Sequence, residues 1–162
     1  MEEGAAAGGG AGTVAVPFER GSVHLVPLDG KGEAVRLVWK QGDKTRGRPV
    51  AAGTYRLANY QIEREVGGKG WLASATSPSG PEVTVRAGEE TTIAISQRVK
   101  IEWNAHLEYG LYGLSFDFLG HEGMSLSIFD TSLPGPDTRV AATYQLCEAA
   151  GAVVSSGSLT YG

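Results

Sequence analysis

The sequence predicts an all-β chain, arranged as two small antiparallel β-sandwich modules in tandem, and three observations carry that prediction. Apolar and polar residues alternate with a period of two through nearly every segment. The 24 glycines among 162 residues are about twice the usual ~7% share. They fall between the alternating runs, where freedom at positive φ serves turns. No stretch carries a 3.6-residue apolar stripe of useful length, which argues against α/β enzyme folds.

The elements follow in order. Residues 1–12, Met-Glu-Glu-Gly and then Ala and Gly, have no side chains to pack and read as a flexible tether. Val14, Val16 and Phe18 share one face of a first strand, Val23 and Leu25 of a second, and Val35, Leu37 and Trp39 of a third. Asp29-Gly30-Lys31-Gly32 between the second and third is a hairpin signal. Gln41 to Pro49 is polar, broken by Gly and Pro, and reads as a loop. Tyr55, Leu57 and Asn59 line a strand over Thr54–Val66; Gly67 to Gly70 makes a turn into Trp71–Ala75. Val83 and Val85, then Ile93 and Ile95, close the first module, residues 13–97.

The pattern restarts in residues 98–162, the second module. Ile101 and Trp103, then Leu114, Phe116 and Phe118, then Met124, Leu126 and Ile128 mark three strands. Pro134-Gly135-Pro136 loops into Val140–Cys147, and Ala152–Tyr161 completes a terminal hairpin. Turns at ~8–12-residue spacing are those of sandwiches and barrels. Val35, Leu37, Tyr55, Leu57, Ile93 and Ile95 are the expected core of the first module. Ile101, Trp103, Leu114, Phe116, Leu126, Ile128 and Tyr144 are that of the second.

Charge narrows the function classes. Residues 1–97 carry 11 basic and 11 acidic side chains, whereas residues 98–162 carry 3 and 7. Neither half has the basic excess that tracks a phosphate backbone, so nucleic-acid binding is not expected. No apolar run approaches the ~18–20 residues of a membrane-spanning helix. The N-terminus lacks a signal-peptide pattern, so the compartment is extracytoplasmic if a signal segment was trimmed and cytoplasmic otherwise. Cys147 is the one cysteine, and its apolar surroundings predict a buried, inert thiol.

Ala51-Ala-Gly-Thr-Tyr-Arg-Leu57 followed by Val83-Thr-Val-Arg-Ala-Gly-Glu-Glu-Thr-Thr-Ile-Ala-Ile95 resembles the prealbumin-like modules of bacterial envelope proteins, the carboxypeptidase-regulatory-like and PEGA-type families. Gly53, Tyr55, Gly88 and Thr92 match their pattern, while Ala51-Ala52 stands where a proline is usual before the glycine. The resemblance covers roughly residues 22–96. It implies a non-catalytic, often extracytoplasmic accessory module and carries no binding residues across.

No catalytic constellation emerges, and neither a metal nor a cofactor is expected. His24, His106 and His121 lack ligand spacing. Asp130 and Asp137 flank a Pro/Gly loop without the spacing of a calcium loop. Gly68-Lys-Gly70-Trp-Leu-Ala73 matches a dinucleotide fingerprint only formally, because a strand follows where a helix is needed. Two interaction candidates survive. One is the basic loop of Lys40, Lys44, Arg46 and Arg48 against Asp43, an anion or acidic-partner contact. The other is Trp71, with Tyr60, Tyr109 and Tyr112, as a sugar-stacking platform if exposed. The expected function is a structural or protein-interaction module of a bacterial envelope or multi-protein assembly, with a protein partner or self-association. The alternatives are a carbohydrate-binding module taking a glycan, and an enzyme whose site is built from distant loops.

Overall fold

The structure is a computed structural model and describes residues 10–44, 46–134, 138–141 and 143–158. Residues 1–9 of the expected tether, Asp137, and the last residues of the terminal hairpin lie outside the described residues. The described residues hold thirteen strands, one 3-10 turn and no α-helix.

Strands β1 (Ala11–Ala15), β4 (Arg48–Ala51) and β8 (Glu90–Thr92) form a small sheet, with β1 antiparallel to β4 and parallel to β8. Ala11 and Gly12, read from sequence as the end of the tether, are already in β1, opposite Ala51 and Val50. A side chain at 12 would run into the Arg86 carbonyl, so the glycine lets β1 lie this close to the neighbouring chain. β4 was hidden from sequence by Pro49. It is an edge strand, where a residue without an N–H is tolerated.

The large sheet contains β3 (Val35–Trp39), β2 (Gly21–Pro27), β5 (Gly53–Val66), β6 (Lys69–Thr76), β11 (Ser125–Asp130), β10 (Leu111–Leu119) and β9 (Lys100–Glu108) in that order. β7 (Glu82–Val85) pairs with the first residues of β5. All these pairings are antiparallel. The turn between β5 and β6 has two residues, Gly67 and Gly68, at φ of 60° and 76°. Two successive positive φ values match the twist of a hairpin and favour glycine, which settles the Gly68–Ala73 motif as a turn.

The two sheets bury their facing sides in one core. Val14, Val16, Phe18, Val50, Ile93 and Ile95 pack from the small sheet and its extensions. Val23, Leu25, Leu37, Trp39, Tyr55, Leu57, Tyr60 and Ile62 meet them from the large one. Met124 and Leu126 belong to the same core, so hydrogen bonding and packing both run across the expected boundary at residues 97 and 98. Tyr60 fastens this junction. Its hydroxyl accepts the His121 N–H at 2.9 Å, and a side chain at Gly120 would collide with it. Burial pushes the Tyr60 hydroxyl pKa up, although the His121 N–H works the other way.

Beyond this core the expected burial fails. β10 meets β11 only at Leu119 and Ser125, and the rest of β11's free edge is taken by residues 138–140. The β9–β10 hairpin therefore continues past the core with only part of one face covered. Ile101 and Trp103 were expected in a core but are 55% and 67% exposed, and Leu107 is 63% exposed. Leu114, Phe116 and Tyr144 are half-buried; Phe118, Ile128 and, at the start of β3, Val35 are half-buried too but pack against the core. Strands β12 (Thr143–Cys147) and β13 (Val153–Ser158) form a separate two-stranded sheet. Tyr144 stacks on Phe116 with ring centroids 6.3 Å apart. Cys147 is exposed, against expectation: it ends a strand of a two-stranded sheet that joins neither larger sheet, at a shift in the pairing register.

Candidate functional site

The basic loop is a folded turn. Its four cations do different things. Asp43 accepts the Lys40 N–H at 2.9 Å and pairs with the Arg48 guanidinium. The Lys40 amide first, and the Arg48 charge after it, hold the Asp43 carboxyl below the usual carboxylate range, with burial opposing them. Arg48 also lies over the Trp39 ring, 5.6 Å from its centroid, and its Nε donates to the Val38 carbonyl at 3.0 Å. Trp39 in turn donates its indole N–H to the Arg46 carbonyl at 2.6 Å and meets Phe18 edge-on. Arg48 is thus a clamp against the core, while Lys40, Lys44 and Arg46 stay on the surface. Arg46 stands 4.0 Å from Glu19, both well exposed, a contact of little energy.

Trp71 is placed elsewhere. It sits between Arg64 and Asp130 in the sheet, one row past Ile62, Ala73 and Ile128. It is half-buried in an open recess of about 440 Å³ with Arg20, Glu63, Arg64, Leu72 and Thr131. No cation of the basic loop lines that recess. Asp130 beside it is buried and committed to its own turn. It accepts from the Ser132 hydroxyl and from the Ser132 amide at 2.9 Å, which hold its carboxyl below the usual range.

The three described side chains of the aromatic set do not form a row. Tyr60 is in the core, Trp71 lies at its margin, and Tyr109 is 95% exposed at the hairpin tip. The side chain of Tyr112 lies outside the described residues. Among the described residues no three His, Cys, Asp or Glu side chains are grouped to hold a metal. No helix among the described residues is long and apolar enough to cross a membrane.

The surface that sequence reasoning missed is the β9–β10 hairpin. Its register pairs Ile101 with Phe118, Trp103 with Phe116 and Ala105 with Leu114, so these residues share one face. Glu102, Asn104 and His106 are paired with Asp117, Ser115 and Gly113 on the other. The signal lay in the length: nine residues a side around Tyr109-Gly110 make a hairpin that reaches past a core of this size. The chain matches no known protein-family model, no characterised protein and no solved structure.

Proposed function

We propose that this chain is a non-catalytic protein-interaction module of a bacterial envelope or multi-protein assembly. In this proposal residues 13–97 make a prealbumin-like sandwich scaffold and the residues from 98 onward carry the contact surface. The observation behind it is the hairpin's apolar face, where Ile101, Trp103 and Leu107 are all more than half exposed. Contiguous exposed apolar side chains on a regular strand are characteristic of protein–protein contact sites. The opposite face is polar, as a strand with one contact side requires. Ile101, Trp103 and Leu107 are not among the core side chains, so the core does not account for large apolar groups there.

The test is the double variant Ile101→Ser/Trp103→Ser. Because both side chains are exposed in the single chain, its stability to urea, measured dilute enough for the chain to be monomeric, should stay within about 0.5 kcal/mol of the parent. Acrylamide should quench part of the parent's tryptophan fluorescence, and that part should vanish in the variant. A loss of several kcal/mol would mean that the chain itself covers this face, and the interaction role would fall.

A further inference from the structure

The large sheet ends in two strands, and they differ. At β3 the edge is guarded: Arg48 donates to the Val38 carbonyl and the 40–48 loop folds beside it. At β9 no strand is paired on the outer edge among the described residues. β9 has nine residues, none of them proline, and residues 100–107 are all exposed. Long open edges with apolar side chains pair with other strands unless something prevents it.

The sequence of β9 selects its own partner. Antiparallel pairing of two β9 strands about Asn104 uses all nine residues of each, since Asn104 is the midpoint of Lys100–Glu108. That register sets Lys100 of one copy opposite Glu108 of the other, and Glu102 opposite His106. On the apolar face it sets Ile101 opposite Leu107, and Trp103 opposite the small Ala105. Centring on Ala105 would oppose Glu102 to Glu108, and centring on Trp103 would oppose Lys100 to His106. A one-residue slip would put Lys100 across from Leu107 and mix the two faces. Full overlap and charge complementarity thus coincide in one register. Within a single copy Lys100 contacts Glu102, but both are exposed and this pair competes weakly.

We infer that β9 pairs antiparallel with β9 of a second copy of this chain, two-fold symmetric about Asn104, joining two large sheets edge to edge. The inference rests on the interaction role proposed above and names its partner. A two-fold contact repeats each pair, so one substitution changes two charge pairs.

Sedimentation equilibrium of the full chain, from micromolar to millimolar, should show a monomer–dimer equilibrium. Lys100→Glu should raise the dissociation constant about tenfold, and the swap Lys100→Glu/Glu108→Lys should return it to within about threefold of the parent. In a Cys147→Ser background, Asn104→Cys should cross-link to itself on mild oxidation. Facing residues have Cα atoms about 4.5–5.5 Å apart, within disulfide reach. Lys100→Cys should not, since eight residues of offset separate the two copies by about 27 Å. A dimer indifferent to Lys100→Glu, or Lys100→Cys cross-linking as readily as Asn104→Cys, overturns the pairing. A parent that stays monomeric also overturns it. If Ile101→Ser/Trp103→Ser then keeps parental stability, the interaction role stands with another partner. If that variant is destabilised like a core substitution, the role itself falls.

Discussion

Leu25 and Leu107 hold equivalent places in the sequence pattern, each the apolar member of a polar–apolar alternation in a strand. Leu25 is fully buried and Leu107 is 63% exposed. The difference lies in what faces them. β2 lies between β3 and β5, and its inner side meets Val14, Val16 and Phe18 of the opposing sheet. Among the described residues β9 has a strand neighbour on one edge only, and Tyr144 stacks on Phe116 of the adjacent β10. Alternation therefore specifies which side chains share a face, and only a second layer turns that face into a core.

The largest test of this contrast is the same truncation at both places. Leu25→Ala should lose about 2–5 kcal/mol, the range for a buried leucine. Leu107→Ala should stay within about 0.5 kcal/mol. Urea unfolding measures both, and equal losses would break the comparison. Next comes the joint between the two regions. Tyr60→Phe removes the acceptor of the His121 N–H and should cost about 1–2 kcal/mol. Hydrogen exchange should then quicken at the His121 amide while Val23 and Leu25 keep their protection; unchanged exchange would place the joint elsewhere.

At the hairpin tip Tyr109 has a φ of 50°, a left-handed conformation that asparagine tolerates better. Tyr109→Asn should therefore stabilise the chain by about 0.5–1 kcal/mol, read as a higher urea midpoint. A loss would mean that the exposed Tyr109 ring has a contact after all.

The smallest effect is local and depends on pH. The folded carboxyls of Asp43 and Asp130 sit below their ordinary value. A depressed carboxylate contributes stability that is present above the unfolded pKa, ~3.9, and is lost as pH falls through the folded value. Amide resonances of Lys40 and Ser132 should hold steady from neutrality down to the ordinary carboxylate range and shift only below it. Asp43→Asn should abolish the transition at Lys40 and leave that at Ser132. A transition at Lys40 that survives Asp43→Asn would assign the turn's acid sensitivity to another group.

Much of the first region was legible in the sequence. Val14, Leu37, Tyr55, Leu57 and Ile93 fall on the inner face where alternation placed them, because both sheets there have an opposing layer. The basic loop was legible as a loop, but its four cations read alike. Distinguishing Arg48 as a clamp required the distance to Asp43 and Trp39, residues whose approach depends on the fold of the whole turn. Trp71 was read as a question of exposure and proves half-buried, between Arg64 and Asp130 in the large sheet.

By itself the sequence determined the all-β class, most turns and the sidedness of most strands, since these follow from local sterics and a two-residue repeat. It missed β4, and in β5 the inner face passes from Tyr55 and Leu57 to Tyr60 and Ile62, leaving Asn59 off it. Tertiary structure alone decided that Met124 and Leu126 complete the first region's core, and that Cys147 faces solvent. It also decided that Ile101 and Trp103 are left uncovered at an open sheet edge. Coverage depends on which distant strands come to lie opposite, and a two-residue repeat carries no information about that.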